Sequence, residues 1–406
     1  MKDVSHEGII ARALSVTPGA PPAACYAGFD VTADSLHVGH LLTLHVLRKM
    51  SERNVLPVLV LGGATTAVGD PTGRTQSRPV LSKDDIAANM EAIQAQLLRL
   101  MKGCKPVVFD NAEWVTPLTL MELITGIGRQ VSMSSLLASQ AVKTRLDSDG
   151  MTLTEFLYPI IQGFDFLTLA ERMHRMDCPA FLQVGGSDQW GNMLAGTELI
   201  RKMRPDLEGF CAAFTHPLLL TKDGRKMGKT AGGATVWLDR EKTSDLDFYQ
   251  FWRNLNDCDA RAMADMFLDE MPAHNTSAHV FNEPDIYEPS STACDINALK
   301  TRLALRMTTW VRGEEAAILS RELAENRAGS AGPAFDVVRA QLVDDFPALV
   351  VDLDLAATRS EVRRLMAQNG ITLDGQPATT EVRRAARGTV TLSRGKKRHQ
   401  RLRIHE

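Results

Sequence analysis

Residues 55–63 read VLPVLVLGG, a short run of valine and leucine that ends in two glycines. An apolar run of this length without polar alternation is the pattern of a strand buried on both faces. The glycines at its end make a loop that another group can approach closely. Behind Ser82, a natural N-cap, residues 82–102 carry apolar positions at helical spacing. Further apolar runs return at PVVF (106–109), FLQVGG (181–186) and HPLLLT (216–221), with helical stretches between them. That alternation predicts an α/β unit, a Rossmann-like doubly wound parallel sheet with helices on both faces.

After about residue 240 the strand signal fades. Residues 241–326 read as mainly helical, interrupted by an Asn/Pro/Ser stretch at 274–292, and ENRAGSAGPA (325–334) has the composition of a linker. Beyond about 350 a helical and then strand-like pattern follows. The expected division is an α/β domain over 1–238, an α-helical domain over 239–328, a linker over 329–350 and a small α+β domain over 351–406. No internal repeat is visible.

With 406 residues, 44% hydrophobic and 23% charged, the chain has ordinary globular composition and length for more than one core. Its six cysteines include no C-x-x-C pair, which speaks against a zinc ribbon or a disulfide framework and for a reducing cytoplasm. The N-terminus lacks the apolar core of a signal peptide, and the uncharged run 54–69 contains Pro57 and three glycines, so it reads as strand and loop and not as a membrane span. The net charge of -3 is unevenly spread: residues 361–406 hold 11 Lys+Arg against 4 Asp+Glu, whereas residues 1–360 hold 35 against 45. A basic tail of this kind is either a solvated face or an RNA-binding surface.

GRKMGKTAGG (224–233) looks at first like a phosphate-binding loop. That loop needs a glycine five residues before Gly228, and position 223 is Asp223, so Lys226, Lys229 and Thr230 need another account. In YAGFDVTADSLHVGHLLTLHVLRKM (26–50), Asp34 or Ser35 caps a helix with Leu41, Leu44 and Leu47 on its apolar face. His37 and His40 then fall near the first turn and share a face, beside backbone N–H groups that favour phosphate, with Gly39 allowing close approach. Two histidines at this spacing also fit a structural pair or part of a zinc site. LGGATTAVGDPTGRTQSR (61–78) is a glycine loop carrying Asp70, Arg74 and Arg78, the arginines within reach of an anion. In TEFLYPIIQGFDF (154–166), Tyr158, Gln162 and Asp165 recur on one helical face among apolar residues, although Pro159 predicts a cap and not a helix at Tyr158. QVGGSDQWGN (183–192) is another strand running into glycines, with Asp188 and Gln189 placed to bind hydroxyls.

Together these segments resemble class I aminoacyl-tRNA synthetases, and among them the bacterial tyrosyl-tRNA synthetases. HVGH (37–40) is similar to the HIGH signature and KMGKT (226–230) to the KMSKS loop, while GFDVTADSLHVGH, TEFLYPIIQGFDF and GGSDQWGN are the more specific matches. The resemblance implies that a substrate carboxylate attacks the α-phosphate of ATP and that the activated tyrosyl group passes to tRNA(Tyr). The nucleophile then belongs to the substrate, so no Ser-His-Asp or Cys-His arrangement is required. It further implies His37, His40, Lys226, Lys229 and Thr230 as catalytic groups, with Arg74 and Arg78 as further phosphate contacts. Tyr26 and Asp165 would hold the phenol of L-tyrosine, and Asp70, Tyr158 and Gln162 its ammonium group. Gly28, Asp30, Gly39, His40, Gly186, Asp188, Gln189 and Lys229 would line ATP and the adenylate. ATP implies Mg²⁺, and the family implies a homodimer.

Two departures from the pattern stand out: Ala27 replaces a cysteine that many relatives place against the ribose, and Pro159 interrupts the binding helix. TRSEVRRLMAQNGITLDGQPATT (358–380) resembles a small RNA-binding domain shared with a ribosomal protein, which implies RNA contacts from Arg363, Arg364, Lys396, Lys397 and Arg398. The competing readings are a tryptophan-specific synthetase of the same fold, another nucleotidylyl transferase, and a non-catalytic RNA-binding relative. An indole offers one donor only, which suits Tyr26 with Asp165 poorly.

Overall fold

The computed structural model describes residues 1–72, 81–138, 140–147, 150–219, 234–268, 295–329, 335–353, 355–394 and 398–405. They divide into two compact units. Met1–Ser244 with 254–268 and 295–303 form one, and Asp245–Arg253 with Ala304–Glu406 form the other. The expected helical stretch is present as Asp245–Arg253, Asp257–Phe267, Ile296–Arg312 and Glu314–Gly329, but it is shared between the units instead of forming a third.

The first unit is built on five parallel strands, β1 (Ala23–Phe29), β2 (Val55–Leu61), β3 (Val107–Asp110), β4 (Phe181–Gly186) and β5 (Cys211–His216), in the order β3-β2-β1-β4-β5. β2 is the VLPVLVL run, buried along almost its whole length. The order reverses between β1 and β4, where Tyr26 pairs with Val58 on one side and Gln183 on the other. Loops diverge at the carboxyl ends of strands at such a reversal and leave a crevice. At the other edge, residues 2–5 run antiparallel along β5, with Lys2 N donating to Thr215 O (2.7 Å) and Ser5 N to Ala213 O (2.9 Å). An exposed row of strand N–H and C=O groups is thereby covered.

Three local expectations change. The last strand of this sheet is CAAFTH (211–216), which ends at His216 where HPLLLT begins: Pro217 has no N–H for a ladder, and the small alanines of CAAFTH hide a strand that is buried throughout. The helix after HVGH begins at Leu41, and neither Asp34 nor Ser35 caps it. His37 instead caps a 3₁₀ turn over Val38–His40, while Ser35 is buried against Gln96 and Asp34 pairs with Lys242. The helix Leu153–Arg175 runs through Pro159 without a break, so Tyr158 is helical. Thr152 and Glu155 cap its start reciprocally, and burial of Ile160, Phe166, Leu169 and Met173 outweighs the roughly 3 kcal/mol that an internal proline costs. The helix Lys83–Leu100 begins as expected, with Ser82 and Asp85 forming a capping box.

Helix Leu153–Arg175 crosses helix Trp190–Met203 at two glycines. A Cβ on Gly163 would lie 3.2 Å from Gly196 Cα, and one on Gly196 would lie 3.0 Å from Phe166 Cδ1.

In the second unit, β6 (Phe335–Val338), β7 (Ile371–Leu373), β8 (Gln376–Pro377), β9 (Thr389–Arg394) and β10 (Arg398–His405) form a sheet ordered β6-β10-β9-β7-β8. β6 lies parallel to β10 and the other pairs are antiparallel. The expected linker over 329–350 is therefore corrected. From residue 335 onward it carries β6 and two short helices, and Val337, Leu342, Phe346, Leu349 and Val350 lie in the same core as Val362, Leu392 and Leu402. Glycine, serine and proline at 329–333 gave a linker signal that ended sooner than expected. Arg383 is buried over the Phe346 ring at 4.7 Å and donates to the carbonyls of Leu342 and Val343.

Gly163→Ala presses a methyl group onto backbone, and overpacking of this kind costs about 1–3 kcal/mol. Denaturant melts of the full chain should show that loss, whereas Gly8→Ala, with nothing within 4 Å of its added Cβ, should be neutral or slightly stabilising.

Candidate active site

A cavity of about 710 Å³, in the range of small-molecule sites, is lined from the carboxyl ends of β1 and β4. Every described residue of the α/β segments that the resemblance assigns to substrate or nucleotide lines it. From β1 and the turn after it come Tyr26, Gly28, Asp30, His37, Gly39 and His40. Asp70 joins from the glycine loop, Tyr158, Gln162 and Asp165 from one helix face, and Gly186, Asp188 and Gln189 from β4 and its 3₁₀ turn. Arg74, Arg78, Lys226, Lys229 and Thr230 lie outside the described residues. In the second unit Arg363 and Arg364 are exposed on helix Arg359–Ala367, while Lys396 and Lys397 lie outside the described residues, as does the side chain of Arg398.

Asp165 anchors a buried network. Its Oδ1 accepts from Trp114 Nε1 (2.7 Å) and its Oδ2 from Asn111 Nδ2 (3.1 Å). Asn111 also donates to Thr65 Oγ1 (3.1 Å), and Thr65 donates to Asp30 Oδ1 (2.8 Å). Tyr158 OH closes the chain by donating to Asp30 Oδ2 (3.0 Å). Burial pushes the Asp165 carboxyl up to about 7, and the Asn111 and Trp114 donors work against it. Burial, with Asp165 next in weight, raises the Tyr26 phenol; burial and then Asp30 raise Tyr158, so both hydroxyls stay protonated.

A second cluster holds the glycine loop. Gln189 Nε2 donates to Asp70 Oδ2 (2.9 Å), Asn192 Nδ2 to Gln189 Oε1 (3.1 Å), and Thr72 N to Asp70 Oδ1 (2.9 Å). Gly62 belongs with the Asp165 network instead, since a Cβ there would collide with Asp30 and Thr65.

The histidine rings lie 4.1 Å apart. His37 Nδ1 accepts from Gly39 N (3.1 Å), which leaves Nε2 as its N–H donor, and His40 is pinned through Nδ1 to the backbone of His37. Burial and then His37 lower the His40 pKa, so this ring is neutral near pH 7 and not a cation. Among the described residues no three His, Cys, Asp or Glu side chains converge as metal ligands, so the zinc reading of the histidines gains no third ligand there.

Three buried polar atoms of this cavity have no hydrogen-bond partner among the described residues: Tyr26 OH, Gln162 Oε1 and Gln183 Oε1. Unpartnered buried polar atoms are costly, so three in one cavity mark a surface shaped to receive polar groups. Sequence reading missed Gln183, Asn111, Trp114 and Thr65. A glutamine within the apolar run FLQVGG was a usable signal, because a polar side chain in a buried strand needs a partner. DNAEW, following the four-residue β3, carried no signal of its own.

A family model for tRNA synthetases class I (W and Y) matches residues 19–326. The chain belongs to that family. Similar members include a tyrosine–tRNA ligase of Clostridium kluyveri, 34% identical over 99% of this chain and 96% of that protein, and one of Cereibacter sphaeroides, 37% identical over 96% and 92%. Among solved structures, a C-terminally truncated mitochondrial tyrosyl-tRNA synthetase of Aspergillus nidulans aligns with a TM-score of 0.60 at 27% identity, covering 75% of this chain and 85% of that one.

Trp114→Phe in this synthetase removes a donor that holds the Asp165 carboxylate charged. An NMR titration of that carboxyl should give a midpoint near 7 in the parent and a higher one in the variant; an unmoved or lower midpoint would contradict the network.

Proposed function

We propose that this chain is a tyrosine–tRNA ligase, which activates L-tyrosine with ATP to tyrosyl-adenylate and pyrophosphate and then transfers tyrosine to the 3′ end of tRNA(Tyr). The observation that carries the reading is the buried, unpartnered Tyr26 hydroxyl in the same cavity as Asp165. A donor-acceptor hydroxyl and a carboxylate match a phenol, which both donates and accepts. Phenylalanine would leave the Tyr26 hydroxyl unsatisfied and bring no hydroxyl to Asp165, and tyrosyl-tRNA synthetases are the established case of such discrimination, at about 10⁵-fold. The full-length similarity to proteins named tyrosine–tRNA ligase supports this over the tryptophan-specific and non-catalytic readings.

In the proposed mechanism a carboxylate oxygen of tyrosine attacks the α-phosphorus of ATP and pyrophosphate leaves. A terminal ribose hydroxyl of tRNA then attacks the tyrosyl carbonyl and AMP leaves. Asp70, Tyr158 and Gln162 hold the ammonium group, which Asp30 also favours through Tyr158. His37 gives its Nε2–H to a phosphate oxygen with the neutral His40 ring beside it, a preorganised arrangement that gains strength in a water-poor cavity. Gly28, Gly39, Gly186, Asp188 and Gln189 form the bed of the nucleotide and the adenylate. Lys226, Lys229 and Thr230, with Arg74 and Arg78, supply positive charge to the leaving pyrophosphate. Among the described residues no three His, Cys, Asp or Glu side chains form a cage for Mg²⁺, which would enter as the counter-ion of the ATP phosphates.

The proposed layout is a catalytic domain over 1–238, an anticodon-side helical region over 239–328 and a C-terminal RNA-binding domain. The last takes in β6 and offers Arg363, Arg364, Lys396, Lys397 and Arg398 to phosphates. No helix among the described residues is long and apolar enough to cross a membrane, and we place the enzyme in the cytoplasm. A homodimer is favoured by exposed apolar side chains between 120 and 153, among them Leu120, Met121, Ile124, Met133, Leu137 and Leu153.

ATP–pyrophosphate exchange should proceed with tyrosine and fall by orders of magnitude with phenylalanine and tryptophan. Its absence with tyrosine would sink the reading. Tyr26→Phe should reduce the tyrosine-over-phenylalanine preference by about tenfold, one lost hydrogen bond. Met121→Asp with Ile124→Asp should move the chain from dimer toward monomer in light scattering; a variant still fully dimeric would exclude this surface as the interface.

A further inference from the structure

One pair in the cavity takes no part in the roles above. His216 is the last residue of β5, and Thr43 lies in the first turn of helix Leu41–Ser51, three residues after His40; both line the cavity. His216 Nδ1 lies 2.9 Å from the carbonyl oxygen of Pro217, which can only accept, so Nδ1 carries the ring proton. Burial lowers the pKa of this ring, an effect to which the N-terminal ammonium adds and which Asp188 and the Pro217 carbonyl oppose. In the neutral ring Nε2 has a lone pair, and it lies 2.8 Å from Thr43 Oγ1. The single hydroxyl hydrogen of Thr43 is therefore committed to His216, and this is the only hydrogen bond of that hydroxyl among the described residues. What the threonine oxygen presents to a ligand is lone pairs.

We propose that His216 is a positioning residue that fixes Thr43 as a hydrogen-bond acceptor for a donor group of the bound nucleotide. ATP carries such donors on its ribose hydroxyls and its adenine amino group. Without His216 the threonine hydroxyl turns freely, and its hydrogen can face the ligand donor. The inference rests on the nucleotide assignment made above, and it goes beyond it by giving a function to a side chain that acts on the ligand through Thr43.

The test is calorimetric titration of the full chain with ATP, 2′-deoxy-ATP, 3′-deoxy-ATP and the purine riboside triphosphate that lacks the amino group, run alongside pyrophosphate exchange. His216→Ile should weaken ATP binding by about three- to tenfold, as expected for one misoriented neutral hydrogen bond, and leave the KM for tyrosine unchanged. The penalty should vanish for whichever analogue lacks the donor that Thr43 accepts, which also identifies that donor. Thr43→Val should show the same analogue pattern, and adding His216→Ile to it should cost nothing more. An equal penalty with all four nucleotides, or additive penalties, would overturn the inference and leave the pair as a tie between β5 and the helix. If His216→Ile fails to fold, His216→Phe, which keeps a ring but offers Thr43 no nitrogen lone pair, takes its place in the same analogue series. Loss of tyrosine-dependent exchange in the parent chain would remove the ligase reading, while the nucleotide binding pattern would still decide the part played by His216.

Discussion

A buried carboxylate must be matched by donors, and Asp165 is the point from which this site is organised. Its two oxygens take Trp114 and Asn111 from beyond β3, Asn111 reaches Thr65 beyond β2, Thr65 reaches Asp30 beyond β1, and Tyr158 returns to the helix that carries Asp165. Three strand ends and one helix are thus held by one polar chain. In a low dielectric each unmet member would cost more than the bond it loses, so the members stand together. The chain can close only because Gly62 and Gly63 have no Cβ to strike Asp30, Thr65 and Asp110.

Much of this was legible. Strand β2, the Ser82 cap and the single face shared by Tyr158, Gln162 and Asp165 follow from local periodicity, and local periodicity is what tertiary packing preserved. Elsewhere packing overruled it. Proline in the Leu153–Arg175 helix is tolerated because one whole face of that helix, Pro159 included, is buried, and no residue-level rule sees this. The His37 cap was missed because a histidine ring rarely plays that part, and Asp34 and Ser35 were the better local candidates. Asn111 and Trp114 are recognisable only once β3 has brought them beneath Asp165, since nothing in DNAEW distinguishes it from a surface turn.

The second unit shows the same division between what is local and what is distant. Its opening helix and its basic character were visible in sequence, but the partner of its longest strand was not. β10 takes β6 as a parallel neighbour across more than sixty residues, and no spacing rule links FDVV to RLRIH. Arg383 illustrates the hazard of reading charge alone: one of the arginines of the basic tail is a core residue, stacked on Phe346 and spent on two carbonyls.

The unpartnered hydroxyl of Tyr26 also bears on stability. A phenol buried without a partner is a standing penalty on the folded chain, on the order of 1–3 kcal/mol, and a ligand that supplies the partner removes it. Recognition and folding are therefore linked through one oxygen atom. The chain gives up some of its own stability when empty, and it recovers that stability in proportion to how well the occupant resembles a phenol.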